Sequence, residues 1–249
     1  MGRTLRGLAV VGLLAGAVGI SASARAQGPA EDLDDLNYSP IIVYVAGADL
    51  FGADGAQVVS GQSWVVGDEV EFFLNNEYVA IDIATPNAEG SATPWFDLTD
   101  LEVMVEAGDE VRLALADGTR TEVHEVSGLS PGAVSAWKDT VAGTAAPGSV
   151  IVLGVFDEGG LAARSEIADT MGNWLADFAR PGDQVGEEAT FDIVPSSLGL
   201  AAQFDVDGSA TIFVFAPTVT SKDQCKNGGW EDFGIFSNQG ECVRLAPRA

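Results

Sequence analysis

One histidine, two cysteines and 37 carboxylates set the limits of the chemistry open to this chain of 249 residues. A hydrolytic triad needs a base held beside an activated nucleophile. The sole imidazole, His124, sits in Thr121-Glu-Val-His-Glu-Val126, an alternating run that reads as a strand with His124 on the same phase as Glu122. That phase is polar, so His124 is expected to face solvent. No serine, threonine or cysteine carries the local signature of a nucleophile elbow. Carboxylate pairs are so plentiful that a glycosidase-like separation would arise by chance and points to nothing. No glycine-rich phosphate loop precedes a helix. The expectation is a protein that is not an enzyme and uses no cofactor.

Binding chemistry offers more candidates. Asp205-x-Asp207-Gly208 has two carboxylates and a turn, the beginning of a calcium loop. The twelfth position, which should be a bidentate Glu, is Ala216. A plain hairpin turn is therefore preferred, and Asp205 and Asp207 are the only metal-ligand candidates, of an incomplete loop. Trp64, Trp95, Trp137 and Trp174 have rings that could stack on sugars. Trp64, on a turn beside Gly67, is the best candidate for an exposed ligand platform, with Trp230 as a second. Trp95 and Trp174 read instead as core of a β-sandwich.

The elements that must position these residues follow from the texture of the chain. Arg3 and Arg6 precede an uncharged apolar run, Leu8 to Ile20, and then the small residues Ser21 to Ala24 and Ala26. This is the order of a cleavable secretory signal over residues 1–26, with the cut before Gln27. The apolar run is shorter than the roughly 20 residues that a membrane span requires. Residues 27–40 are polar and acidic, a flexible lead-in. From residue 41, short runs rich in Val, Ile, Phe and Tyr alternate with Gly, Asp, Asn and Pro at intervals of roughly ten residues, the pattern of an all-β sandwich or barrel. Strands are expected at Ile41–Val45, Gln57–Ser60, Glu69–Leu74, Tyr78–Ile83, Trp95–Leu98, Leu101–Val105, Glu110–Ala116 and Arg120–Val126. A further set is expected at Val134–Val141, Ser149–Phe156, Ala162–Ile167, Trp174–Phe178, Glu188–Ile193, Ala201–Asp205 and Ala210–Phe215. Asp117-Gly118 should close a hairpin. The two sets resemble each other at an offset of about 80 residues, one small sandwich each. The glycine pair Gly61 and Gly143 and the tryptophan pair Trp95 and Trp174 anchor that correspondence. The expected division is 41–130 for the first domain, 131–217 for the second and 218–249 for a terminal segment.

Charge and cysteine usage complete the outline. The chain carries a formal −25. Removing the leader, which holds Arg3, Arg6 and Arg25, leaves nine basic residues against 37 acidic ones, a net −28. Such a surface repels phosphate backbones and anionic lipid, so nucleic-acid binding and membrane insertion after signal removal are not expected. Cys225 and Cys242 are the only cysteines. In an exported chain such a pair most simply forms a disulfide, worth about 3 kcal/mol in the chain-entropy model. A zinc site would need partner histidines that are absent from this segment.

Two stretches have familiar forms. Val141-Ala-Gly-Thr-Ala-Ala-Pro-Gly-Ser149, followed by Asp169-Thr-Met-Gly-Asn-Trp174-Leu-Ala-Asp-Phe178, resembles the bacterial immunoglobulin-like repeats of secreted and surface proteins. The likeness is best over residues 137–217 and implies immunoglobulin-like β-sandwiches. Gln203 to Thr211 is similar to a DxDGDxT stretch of such modules, with Ser209 in place of the last Asp. Lys222 to Val243, Cys225-Lys-Asn-Gly-Gly-Trp230 to Asn238-Gln-Gly-Glu-Cys242-Val, resembles a short terminal module of bacterial secreted proteins that has no established activity. The combined expectation is a secreted or cell-surface protein of two tandem immunoglobulin-like β-sandwiches with a Cys-stapled tail. It would act as an interaction or structural module toward an extracellular protein or polysaccharide. A carbohydrate-binding protein using exposed Trp is the alternative, and a calcium-dependent adhesin-like module is a second one.

Overall fold

The computed structural model describes residues 41–45, 57–62, 64–86, 92–136, 138–157, 160–184, 186–194, 197–216, 222–226 and 238–245. The leader, the acidic lead-in, Trp137 and Trp230 lie outside the described residues. Within them the regular structure is almost entirely strand. The first half holds β1 (Ile41–Val45), β2 (Val58–Gly61), β3 (Glu69–Leu74), β4 (Glu77–Ile83), the short pair β5 (Thr85–Pro86) and β6 (Ala92–Thr93), β7 (Trp95–Asp97), β8 (Glu110–Leu115) and β9 (Thr121–Glu125). The second half holds β10 (Ser130–Ser135), β11 (Thr140–Thr144), β12 (Val150–Asp157), β13 (Gly160–Ile167), β14 (Asn173–Asp177), β15 (Leu198–Phe204) and β16 (Ala210–Phe215).

Local chemistry accounts for the turns. Asp117-Gly118 closes the β8–β9 hairpin as expected: Gly118 adopts φ +74°, and the Asp117 carboxylate accepts from the Thr119 amide (2.9 Å) and hydroxyl (2.6 Å). Asn75 and Asn76, both at positive φ, make the two-residue turn between β3 and β4. Two expected strands are absent. Leu101–Val105 is a turn, with Glu102 at φ +55° and the Val103 amide bonded back to the Leu98 carbonyl. Glu188–Ile193 is irregular, and Val134–Val141 is split between β10 and β11 by a turn with Asp139 at φ +52°.

The strands form a seven-stranded sheet in the order β13-β12-β15-β16-β1-β2-β7, a four-stranded sheet β4-β3-β8-β9, a three-stranded sheet β10-β11-β14 and the pair β5-β6. The large sheet takes strands from both sides of the division expected at residue 130. Its midline is a parallel pairing of β1 with β16, Ile42 opposite Ala210 through Val45 opposite Phe213. One face of this sheet carries two cores. Ile41, Val43 and Val59 pack with Val70, Phe72, Val111 and Leu113 of the four-stranded sheet. Ile151, Leu153 and Val155 pack with Val141, Trp174 and Ala176 of the three-stranded sheet. The opposite face holds a third buried cluster that crosses the midline, with Ile42, Tyr44 and Val58 against Leu200, Ile212 and Val214. That is why Ile41-Ile-Val-Tyr44 is buried on every residue rather than alternating. The architecture is all-β and sandwich-like, with two smaller sheets laid on one shared larger sheet.

Candidate functional site

The polar groups with the greatest chemical potential meet where the two halves join. His124, on β9, is buried at 2% exposure. Its Nδ1 lies 2.7 Å from Asp205 Oδ2, and its Nε2 lies 3.0 Å from Thr211 Oγ1 on β16. The Ser127 amide donates to the same hydroxyl at 2.9 Å. The expectation that His124 faces solvent is therefore corrected. Its strand phase is polar because it faces polar partners of the other half, 81 and 87 residues away.

The order carboxylate, imidazole, hydroxyl has the geometry of an acid–base–nucleophile relay. With the proton on Nδ1 shared with Asp205, Nε2 accepts from the Thr211 hydroxyl. Thr211, however, has no exposure, so no substrate can approach its oxygen. What the relay does is satisfy three polar groups at a junction that would otherwise bury them unpaired.

Asp205 and Asp207 lie in the turn between β15 and β16. The Asp207 carboxylate accepts from the Ser209 amide at 3.0 Å, and the Ser209 hydroxyl accepts from the Ile41 amide at 3.0 Å, tying this turn to the start of β1. Asp205 Oδ1 is buried with no donor among the described residues, and the Asp207 carboxyl is its neighbour. Burial, then the hydrogen bond with Asp207, holds the Asp205 carboxyl above its ordinary range against the opposing pull of His124. That same hydrogen bond holds Asp207 below its own. Among the described residues no group of three or more His, Cys, Asp or Glu is placed to hold a metal ion.

The tryptophans divide differently from the sequence expectation. Trp64 is not an exposed platform: it is 4% exposed, lies against Gly61, and has the Arg120 guanidinium 4.0 Å from its ring centre. Trp174 lies in the same manner against Gly143 in the other core. The two halves thus correspond through Gly61 with Trp64 and Gly143 with Trp174. Trp95 is instead half-buried on the opposite face of the large sheet, 6.3 Å from the Tyr44 ring.

Arg164, on β13, is a structural centre that sequence reasoning missed. It is 2% exposed and donates to the carbonyls of Ala163, Asp177, Arg180, Glu187 and Ala189. One guanidinium thereby organises the irregular segment between β14 and β15. The available signal was an arginine inside the apolar run Leu161-Ala-Ala-Arg164.

At the carboxyl end, Cys225 and Cys242 form a disulfide with Cα atoms 5.7 Å apart, and both are fully buried. It joins a 3-10 turn, Lys222–Cys225, to a short helix, α1 (Gln239–Leu245). No helix among the described residues is long and apolar enough to cross a membrane.

No family model matches the chain, and no curated protein does. Among solved structures, the tetra-tandem repeat in the extending region of a large adhesion protein matches over 71% of this chain and 48% of that one, at 15% identity and a TM-score of 0.26. A 1.5-MDa bacterial ice-binding adhesin matches over 73% of this chain and 64% of that one, at 14% identity and a TM-score of 0.23. The Group B Streptococcus pullulanase SAP matches over 59% of this chain and 20% of that one, at 8% identity and 0.19. The chain thus spans about half to two thirds of the two adhesins. At these scores and identities the likeness carries no argument about function.

Proposed function

We propose that this protein is an exported, non-enzymatic β-sandwich protein that serves as an extracellular or cell-surface interaction and structural module. The observation that carries this reading is that the one imidazole is used internally. His124 is closed between Asp205 and a Thr211 hydroxyl that no substrate can reach. The segments 41–130 and 131–217 are two immunoglobulin-like lobes built on one shared sheet, and the Cys225–Cys242 staple closes the terminal segment 218–249. Export rests on the leader pattern of residues 1–26. A sugar-binding reading has lost Trp64, its best platform, to the core.

The test is expression of the full chain, leader included, in a bacterial host, followed by intact mass of the protein in each compartment. The mature chain beginning at Gln27, outside the cytoplasm and with its disulfide formed, is the expected result. Protein that keeps residues 1–26 and stays in the cytoplasm would sink the proposal.

A further inference from the structure

The four-stranded sheet packs one face on the core and turns the other to solvent. Its register shows what that outer face presents. Along β4, Ile83 stands opposite Glu69 and Ile81 opposite Glu71 of β3. A β-bulge between Phe72 and Phe73 then shifts the pairing, so Phe73 stands opposite Tyr78. Without that extra residue Val79, not Tyr78, would share the face of Ile81; the bulge re-aims the aromatic outward. Ile83, Ile81 and Tyr78 are 53%, 47% and 56% exposed. The amide of Gly67 bonded to the Ala84 carbonyl and the amide of Ala84 bonded to the Asp68 carbonyl extend the ladder into the Val65–Asp68 turn. Val65 and Val66 there add to the same end. Tyr78, Ile81 and Ile83 thus form one exposed apolar column, and with Val65 and Val66 in the turn at its end they make up five of the thirteen large apolar side chains exposed among the described residues. Scattered exposed apolar residues are ordinary, whereas a concentrated row marks a contact surface.

Beside the apolar column runs a charged one. Glu69 and Glu71 project from alternate positions of β3 on the same face and form no ion pair among the described residues. At the far end Tyr78, Phe73, Arg112 and Val123 stand in one row across the four strands. Phe73 meets Tyr78 edge-on at 5.7 Å, and the Arg112 guanidinium sits 3.5 Å over the Phe73 ring. This row is aromatic and closed by a cation, the composition that anchors protein contacts. The face of Phe73 under Arg112 is closed to a stacked sugar ring.

We infer that this outer face is the docking surface of the module and that its partner is a basic, amphipathic protein segment in extended form. Resting on the interaction-module reading above, the inference adds the surface and the chemistry of its ligand. A net −25 on the whole chain draws in cations and works against a second copy of the same chain. Two carboxylates at alternate strand positions stand about 7 Å apart, the spacing of basic side chains two residues apart in an extended segment. The apolar residues between those bases would cover Ile81 and Ile83.

The probe is a short synthetic peptide alternating lysine with valine, titrated into the mature full-length protein and followed by amide shifts. Companion peptides replace lysine by glutamate, or valine by serine. The lysine–valine peptide should bind, with shifts concentrated on β3 and β4, and neither companion should bind comparably. Ile81→Ser with Ile83→Ser should weaken binding about tenfold, and Glu69→Gln with Glu71→Gln several-fold. Shifts elsewhere, equal binding of the lysine–serine peptide, or unchanged affinity in both variants overturns the inference. So does dimerisation of the unmixed protein that Ile81→Ser with Ile83→Ser abolishes. Shift mapping on the unsubstituted chain decides the matter even if a variant fails to fold. Export is read by a separate assay, so failure here leaves that result standing.

Discussion

His124 has an acceptor on one ring nitrogen and a hydroxyl on the other, and the carboxyl pair behind it determines how the junction responds to pH. Asp205 is held above its ordinary range by burial and by its hydrogen bond with Asp207. The folded chain therefore binds that proton more tightly than the unfolded chain. Its contribution to stability is present below the ordinary carboxyl range and is lost as pH rises through the raised value. Asp207, held low chiefly by the bond from Asp205, behaves in the opposite sense: its contribution is lost as pH falls through the lowered value. Asp205→Asn keeps an acceptor for the imidazole and a donor for Asp207 but does not titrate. Melting temperatures measured from about pH 3 to about pH 7 should show a decline on the high-pH side of the carboxyl range that is smaller in the variant, since Asp139 and Glu166, also held high by burial, remain in both proteins. Parallel profiles for the two proteins would show that Asp205 does not hold the extra proton.

At the scale of elements, the glycines under the buried tryptophans are the tightest joints. Gly143, in the central strand of the three-stranded sheet, stands opposite Trp174. A Cβ there would fall inside the indole ring and on the Ser130 carbonyl, neither of which can move aside cheaply. Gly143→Ala should cost about 1–3 kcal/mol, read as a lower denaturant midpoint. Gly128→Ala, which meets nothing closer than 4.0 Å, should stay near native stability. Equal midpoints for the two variants would mean that the indole is not seated on Gly143. The same elements show what a single sequence discloses. β3 and β16 fall where alternation and β-branched content place them, because their inward faces pack in apolar cores. The stretch Glu188–Ile193 has the composition of a strand, yet its backbone is engaged by Arg164, and the Ile193 amide by Asp139 Oδ1. Alternation puts His124 on the wrong side for a related reason. Alternation reports polarity, and a polar phase looks the same whether it meets water or a buried Asp205 and Thr211. The disulfide was legible because two cysteines allow only one intramolecular pairing.

For the whole molecule, the decisive feature is the β1–β16 pairing at the centre of the seven-stranded sheet. Two sandwiches joined by a linker would unfold separately, each around its own core. Here β1 contributes Val43 to one core on its front face and Ile42 and Tyr44 to the cluster that crosses to β15 and β16 on its back. Removing order from β1 exposes an edge of β16, the back-face cluster and the His124 junction together. Val43→Ala lies in the first core, and its loss of buried methyl groups should cost about 1–2 kcal/mol. If the halves are one cooperative unit, that cost appears equally in the slowest-exchanging amides of β3 in the first half and of β12 in the second. Hydrogen exchange under native conditions measures both in one sample. A loss of protection confined to β3, with β12 unchanged, would mean that the shared sheet does not couple the lobes. Equal losses would make the two halves a single cooperative folding unit, held together by the β1–β16 pairing.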